Sequence, residues 1–283
     1  MSLSYDKTEE PIVFDTRKNK VIYYRKKEYG NDDDKIEEGI TEPNKYIGHL
    51  EIIPRSGKVK GHENDIIYLT GSSGGGKSYI ARTFACNYHR MFPRNRIYYF
   101  TMSDESKLPD SERIFMAKMP DSKIRYNEWL GLIRHYVDKK IINKKFNLEN
   151  DFSNSLVIFD DFLYFQNENK KDNEELMDYL VGHLTKIMNL GRKIRVSCVI
   201  TSHLIYEQRH PDLYRNIFGE AHKLIWCVNH ITERQLDYAL KVHFGLSTSE
   251  IKKARRFDLN SHYICFSKYP RYLQSENKVE LLI

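Results

Sequence analysis

Eight consecutive residues, Gly71 to Ser78, read GSSGGGKS. Glycines at 71, 74, 75 and 76 leave a loop whose backbone N–H groups can converge on phosphate oxygens that bulky side chains would keep away. Lys77 would set its ammonium between β- and γ-phosphates, and Ser78 would offer its hydroxyl to Mg²⁺. The helix that opens there would aim its N-terminal dipole at the anion. Ser72, Ser73 and Tyr79 complete the stretch expected to line a nucleotide. The apolar run IIYLT comes just before the loop and YIARTFACNYH just after, which is the strand–loop–helix context this motif requires.

A second constellation is LVIFDD, in which four apolar residues deliver Asp160 and Asp161 to a strand end. Lying beside the strand of the glycine loop, it would bring Asp160 within reach of the metal held by Ser78. Asp161 would polarise the attacking water, a methylene short of the glutamate that many such sites use. Glu105, just past RIYYFTMSDE, is the alternative base, and Asp104 or Glu105 would otherwise cap a turn.

A third group ends the run RVSCVITSH: Thr201, Ser202 and His203. They would lie at the γ-phosphate if their strand separates the glycine-loop strand from the Asp160 strand, and one hydrogen bond would then report the phosphate. Arg192 and Arg195 stand at the opposite end of that strand. They are not expected to touch their own nucleotide, but in a ring they could face a neighbour's site, where a guanidinium neutralises charge on the transferred group; a solvated surface charge is the other reading of each. Arg209 and Arg215 are weaker candidates.

These residues need a framework that presents strand ends along one edge. From Ile66 onward, apolar strands alternate with helical stretches, the pattern of a parallel sheet flanked by helices. The expected strands are Asp65–Thr70, Arg96–Thr101, Ser155–Asp160, Val196–Thr201 and Lys223–Val228. The expected helices are Lys77–Met91, Asn127–Lys139, Glu174–Leu190 and Glu233–Phe244, by apolar spacing of three and four. Short strand-like runs at Pro11–Phe14, Val21–Tyr24 and Leu50–Ile53 define an N-terminal extension over 1–64. Residues 65–259 would be the core, and His262–Ser267, Arg271–Gln274 and Val279–Leu282 a terminal β-meander, packed on that core, over 260–283. The segments Lys139–Asn154 and Gln166–Asn173 read as polar connectors.

The 283 residues, 40% hydrophobic and 30% charged, fit one large α/β core with a polar surface. A net charge of +6 permits a polyanionic partner without marking a dedicated nucleic-acid coat. Cys86, Cys198, Cys227 and Cys265 form no CxxC and read as buried thiols of a reducing compartment. No stretch approaches the ~20 apolar residues of a membrane span.

Taken together, TGSSGGGKS, LVIFDDF, GRKIRVSCVITSHL and the tail YICFSKYPRYLQSENKVELL resemble the additional-strand P-loop ATPases of the FtsK and HerA superfamily. Within it, they resemble the poxvirus-type genome-packaging ATPases of large DNA viruses and virophages. The resemblance spans Asp65 to Leu282 and leaves the N-terminal part unmatched. It implies a RecA-like three-layer core and a homo-oligomeric ring, pentameric or hexameric, that uses ATP and Mg²⁺ to drive double-stranded DNA into a capsid. Portal or vertex proteins would be partners, and the host cytoplasm, in the viral factory or with the virion, the location.

By motif the resemblance implies that Lys77 and Ser78 bind phosphates and Mg²⁺ and that Asp160 holds the metal. Asp161 takes the water-activating position, Ser202 and His203 the sensor position, and Arg192 that of a trans arginine. His203 stands where a glutamine is common.

Basic runs that could track DNA phosphates are Arg82, Arg90, Arg94 and Arg96, then Lys139, Lys140, Lys144 and Lys145, then Lys252, Lys253, Arg255 and Arg256. Solvated helix faces are the commoner explanation of such runs. A helicase-loader ATPase, a small-molecule kinase and a nucleotide-switched assembly protein with little turnover are the competing readings.

Overall fold

The computed structural model describes residues 2–5, 10–25, 42, 44–56, 64–101, 132–136, 147–161, 170–205 and 211–282. Three N-terminal strands, β1 (Ser2–Ser4), β2 (Pro11–Asp15) and β3 (Lys20–Arg25), are followed by β4 (Lys45–Ile47) and β5 (Leu50–Ile52). The glycine-loop strand β6 (Ile66–Thr70) leads to α1 (Lys77–Met91), β7 (Arg96–Thr101), β8 (Leu132–Tyr136), α2 (Leu148–Phe152) and β9 (Ser155–Phe159). Next come α3 (Lys170–Ile194), β10 (Val196–Ser202), α4 (Pro211–Glu220), β11 (Lys223–Cys227) and α5 (Glu233–Tyr238), which runs on as a π-helical turn, Ala239–His243. The chain closes with α6 (Thr248–Arg255) and strands β12 (Tyr263–Ser267), β13 (Tyr272–Gln274) and β14 (Lys278–Leu281).

Ten strands form one sheet in the order β4-β14-β13-β12-β11-β6-β10-β9-β7-β8. From β11 to β8 every pairing is parallel. From β11 to β4 every pairing is antiparallel. The C-terminal meander therefore continues the central sheet edge to edge.

The parallel strands bury alternate residues on opposite faces, which is why they read as unbroken apolar runs. Tyr68, Val157, Phe159, Cys198, Ile200 and Trp226 face α3, α4 and the segments after β11. Ile67, Leu69, Leu156, Ile158, Val199 and Ile225 face α1, which presents Ile80, Ala81, Phe84, Ala85 and Tyr88. On α3 the inward residues are Leu180, Leu184, Ile187 and Met188, one stripe of an amphipathic helix. Each such fully buried side chain contributes roughly 1.5–3 kcal/mol.

A separate four-stranded antiparallel sheet, β1-β3-β2-β5, belongs to the N-terminal extension. Its Ile12, Val13, Ile22 and Leu50 pack with Tyr46 of β4 and with Tyr272, Val279 and Leu281 of the meander. The extension and the C-terminal strands thus share a core.

Just before β6, a buried ionic cluster ties three segments together. Lys223 Nζ lies 3.1 Å from Asp65 Oδ1, and Arg55 Nε lies 3.5 Å from the same oxygen. The Arg55 amide donates to Asp65 Oδ2 at 2.8 Å and Lys223 donates to the Ile53 carbonyl at 3.1 Å. Burial pushes the Asp65 carboxyl up, but the charges of Lys223, Arg55 and His222 together with the Arg55 amide hold it below the ordinary range.

Several expectations need correction. Residues 132–136 form β8, not part of a helix over Asn127–Lys139, because the outer side of β7 offers a ladder to a short run; the rest of that span lies outside the described residues. Within the expected connector Lys139–Asn154, α2 forms where the Asn147 side chain accepts from the amides of Glu149 and Asn150 at 3.0 and 3.1 Å. The helices α4 and α6 were not expected, and α6 carries a capping box between Ser247 and Glu250. The Asp160 strand is not beside β6, since β10 lies between them.

Candidate nucleotide site

The loop Gly71–Gly76 spans the end of β6 and the start of α1, with Gly76 capping the helix at φ 89°. That left-handed conformation favours glycine. Gly71 is needed for a second reason: a Cβ there would stand 2.8 Å from Cys227 Cβ, at the tip of β11. Ser72 is pinned to the same tip, its amide donating to the His230 carbonyl at 2.9 Å and its hydroxyl lying 2.7 Å from His230 Nδ1. His230 was not singled out from the sequence, because no motif surrounds it; only the neighbouring of β11 and β6 brings it to the loop.

Lys77 is buried to 5% exposure, and its ammonium donates to the carbonyls of Gly71 and Ser72 at 2.9 and 3.2 Å. It also lies 3.3 Å from His203 Nδ1 and 3.8 Å from Asp161 Oδ1. The charge is therefore held at the mouth of the loop by groups from three strand ends. Ser72, Ser73, Gly74 and Gly76 are exposed, Gly75 is buried, and Tyr79 is 47% exposed one residue past Ser78.

Asp160 sits at the end of β9 and receives four hydrogen bonds. Ser78 Oγ donates to Oδ1 and Oδ2 at 3.2 and 3.1 Å, Thr201 Oγ1 to Oδ1 at 2.8 Å, and Tyr99 OH to Oδ2 at 2.6 Å. Because β10 separates β6 from β9, its Thr201, in register with Leu69 of β6, joins the two halves by giving its proton to Asp160 and accepting the Asp161 amide at 2.7 Å. The paired hydroxyl and carboxylate of Ser78 and Asp160 are hard oxygen donors, the set that suits Mg²⁺ when phosphates and water complete its shell. Among the described residues no group of three or more His, Cys, Asp or Glu is arranged to hold a metal alone.

Asp161 takes φ 53°, a left-handed turn directly after the strand. This bends its side chain back toward the loop, with Oδ1 3.3 Å from His203 Nε2. Burial, then the neighbouring Asp160 charge, raises its carboxyl above the ordinary value, while Lys77 and His203 oppose the rise. Such a carboxylate is a stronger base than an exposed one.

Ser202 is buried; its carbonyl accepts the Gly71 amide at 3.2 Å and its Oγ accepts the Leu204 amide at 3.3 Å. Of the two sensor candidates, His203 is therefore the one whose side chain meets Lys77 and Asp161. Glu105 and Arg209 lie outside the described residues, as do Asp104 and the Lys139–Lys145 run.

Arg192 and Arg195 are exposed at the far end of β10. The seven residues of β10 at roughly 3.3 Å each put that end about 23 Å from the loop. Arg192 lines a cavity of ≈ 350 Å³ with Asn64, Asn189, Lys193, Glu220 and His222.

The basic runs divide. Arg82 is buried and unsuited to tracking phosphates, Arg90 lies over the Phe14 ring at 5.1 Å, and Arg94 and Arg96 are exposed. In α6 and just beyond, Lys253 pairs with Glu280 at 2.6 Å and Arg255 with Glu233 and Asp237, leaving Lys252 and Arg256 exposed. All four cysteines are buried thiols outside any disulfide.

No protein-family model matches the chain. The uncharacterized protein V3 of Sputnik virophage is 25% identical over 240 residues, covering 83% of this chain and 86% of its own. Among solved structures, the genome packaging NTPase B204 of Sulfolobus turreted icosahedral virus 2 with ATP-gammaS aligns at TM-score 0.46 and 13% identity, over 77% of this chain and 97% of that one. The pCW3 conjugation coupling protein TcpA with ATPgS aligns at TM-score 0.44 and 12% identity, over 98% of this chain and 76% of that one.

Proposed function

We propose that the chain, an α/β P-loop NTPase by its strand order and loop, hydrolyses ATP with Mg²⁺ and spends that energy on moving double-stranded DNA during viral genome packaging. The observation that carries the hydrolytic reading is the convergence of Lys77, Ser78, Asp160, Asp161 and His203 on one sheet edge. The viral setting draws support from the virophage relative and from the motif resemblance along Asp65–Leu282.

In this reading the loop amides and Lys77 bind the triphosphate, and Ser78 with Asp160 would hold Mg²⁺, which would neutralise charge on the phosphate oxygens. Thr201 and Tyr99 keep the Asp160 carboxylate aimed. Asp161 accepts the proton of the attacking water, and His203, touching both Asp161 and Lys77, links the state of the γ-phosphate to the position of that base. Arg192 faces the site of the next copy in a ring, because its own site is a strand length away. Capsid vertex or portal proteins would be the partners of that ring.

The test is ATP turnover with and without double-stranded DNA, alongside mass measurement with an ATP analogue and Mg²⁺. The reading expects DNA-stimulated turnover and a closed oligomer. ATP binding without turnover would identify a nucleotide-switched assembly protein instead, and no binding would remove the reading altogether.

A further inference from the structure

Beside the phosphate loop, on the side away from β10, a shallow cleft runs between β5, α1 and the turn after β13. Glu51, Ile52, Tyr79, Thr83, Tyr263 and Glu276 form its walls. Its internal space, ≈ 40 Å³, makes it a shelf for one face of a flat ring, too small to enclose one.

Its place relative to the phosphates is fixed by the chain. Tyr79 follows Ser78 directly, and Thr83 lies one helical turn further along the same face of α1. Tyr263 pairs with Cys227, the residue that packs against Gly71 and Gly75. A nucleoside whose phosphates occupy the loop therefore has this shelf on one flank.

The chemistry of the shelf is that of an aromatic ring with hydrogen-bond acceptors beside it. Tyr79 is 47% exposed. Glu51 accepts from Asn87 Nδ2 through Oε2 at 3.0 Å, and Glu276 accepts the His262 amide through Oε2 at 3.1 Å and lies 2.8 Å from His262 Nδ1. Each carboxylate is thereby held by one oxygen, and Oε1 of each makes no hydrogen bond among the described residues. Burial and the charges of Glu51 and Glu276 raise the Tyr79 phenol, so both carboxylates act on this spot.

We infer that this shelf receives the base of the bound nucleotide, with Tyr79 as the stacking surface and Glu51 and Glu276 accepting from an exocyclic amine. The inference rests on the phosphate-site reading above. It gives the N-terminal extension and the terminal meander a shared task, since each contributes one carboxylate. An amine on the ring is favoured because a carboxylate accepts from N–H and repels a carbonyl oxygen.

Binding of ATP, GTP, ITP and inorganic tripolyphosphate, each with Mg²⁺, to the full chain and to Tyr79→Ala, Glu51→Gln and Glu276→Gln tests this. Loss of base stacking in Tyr79→Ala should weaken ATP by about tenfold or more. Tripolyphosphate affinity should stay within about twofold of the wild-type chain's, because stacking touches only the base. ITP, which carries no exocyclic amine, should bind the wild-type chain less tightly than ATP or GTP, and each Glu→Gln change should narrow that gap. Whichever of ATP and GTP binds tighter identifies the ring that supplies the amine. Unchanged ATP affinity in Tyr79→Ala, equal losses for ATP and tripolyphosphate, or ITP binding as tightly as ATP would overturn the shelf while leaving the phosphate site standing. Failure of the wild-type chain to bind even tripolyphosphate would instead bring down the phosphate site.

Discussion

Ser78 Oγ lies 3.1 Å from Asp160 Oδ2, although the two residues are 82 apart in sequence and the strands that precede them, β6 and β9, are separated by β10. The contact depends on Thr201 and Tyr99, which hold the carboxylate from either side. Asp160→Asn keeps the shape and removes the charge, so Mg²⁺-dependent turnover should fall on the order of 10²-fold or more while circular dichroism stays unchanged. Turnover surviving at the wild-type rate would show that the metal is held elsewhere.

Asp161 is raised by burial and by Asp160, so if it serves as the proposed base, turnover should fall as pH drops through a value above that of a free aspartate. In Asp161→Asn, ATP binding should persist and turnover drop by roughly 10²–10⁴-fold. The sign for stability is opposite to that for activity. A carboxyl raised in the fold contributes stability below its unfolded value of 3.8 that is lost as pH rises through the folded one. Asp161→Asn should therefore melt higher than wild type at neutral pH, with the difference vanishing in acid; a lower melting temperature would contradict the burial argument.

His222 accepts the Ile66 amide through Nδ1 at 3.0 Å, and burial, then Arg55, lowers it from 6.5 to about 3. A lowered imidazole gives stability that is complete above pH 6.5 and is lost as pH falls toward about 3. Urea midpoints of wild type should decline across that interval, and those of His222→Asn, which keeps an acceptor without the titration, should decline less. Parallel curves would assign the acid sensitivity to other groups.

Lys223→Met leaves the Asp65 carboxylate in the same region with the Arg55 guanidinium and the His222 ring beside it. Removing one partner of a buried pair costs about 3–5 kcal/mol, measurable as a loss of unfolding free energy in denaturant. A loss below about 1 kcal/mol, the range of an exposed pair, would mean that solvent reaches the cluster.

Arg192→Ala subunits keep every residue of their own triphosphate site, and Lys77→Ala subunits keep the arginine. If Arg192 acts on a neighbour's nucleotide, each variant alone should lose most turnover, and mixing the two should restore part of it. Full turnover by Arg192→Ala alone, or no recovery in the mixture, would remove Arg192 from that role.

The parts of the site legible from sequence are those whose neighbours in the chain are also neighbours in space. GSSGGGKS lies between a strand and a helix whose limits, Lys77–Met91, matched the expectation residue for residue. LVIFDD and RVSCVITSH announced their strands by apolar runs, but nothing in either run tells which lies nearer β6. That order is a property of crossovers, and it decides that Thr201 becomes the bridge. His230 and Lys223 act through partners 158 residues away in sequence, so no local pattern marks them. The helix α6 could have been found from Ser247 and Glu250, three apart as a capping box requires, but its lysine-rich body masked the short apolar stripe of Ile251 and Ala254.

Thr201 stands between the two carboxylate-bearing and lysine-bearing ladders and is bonded into both. Separating Asp160 from the Lys77 loop would mean breaking a run of parallel backbone bonds on both sides of β10. The plate therefore moves as one piece, and under the proposed motor reading any stroke would be relayed by the side chains and loops at its rim, beginning with His203, which touches both Lys77 and Asp161.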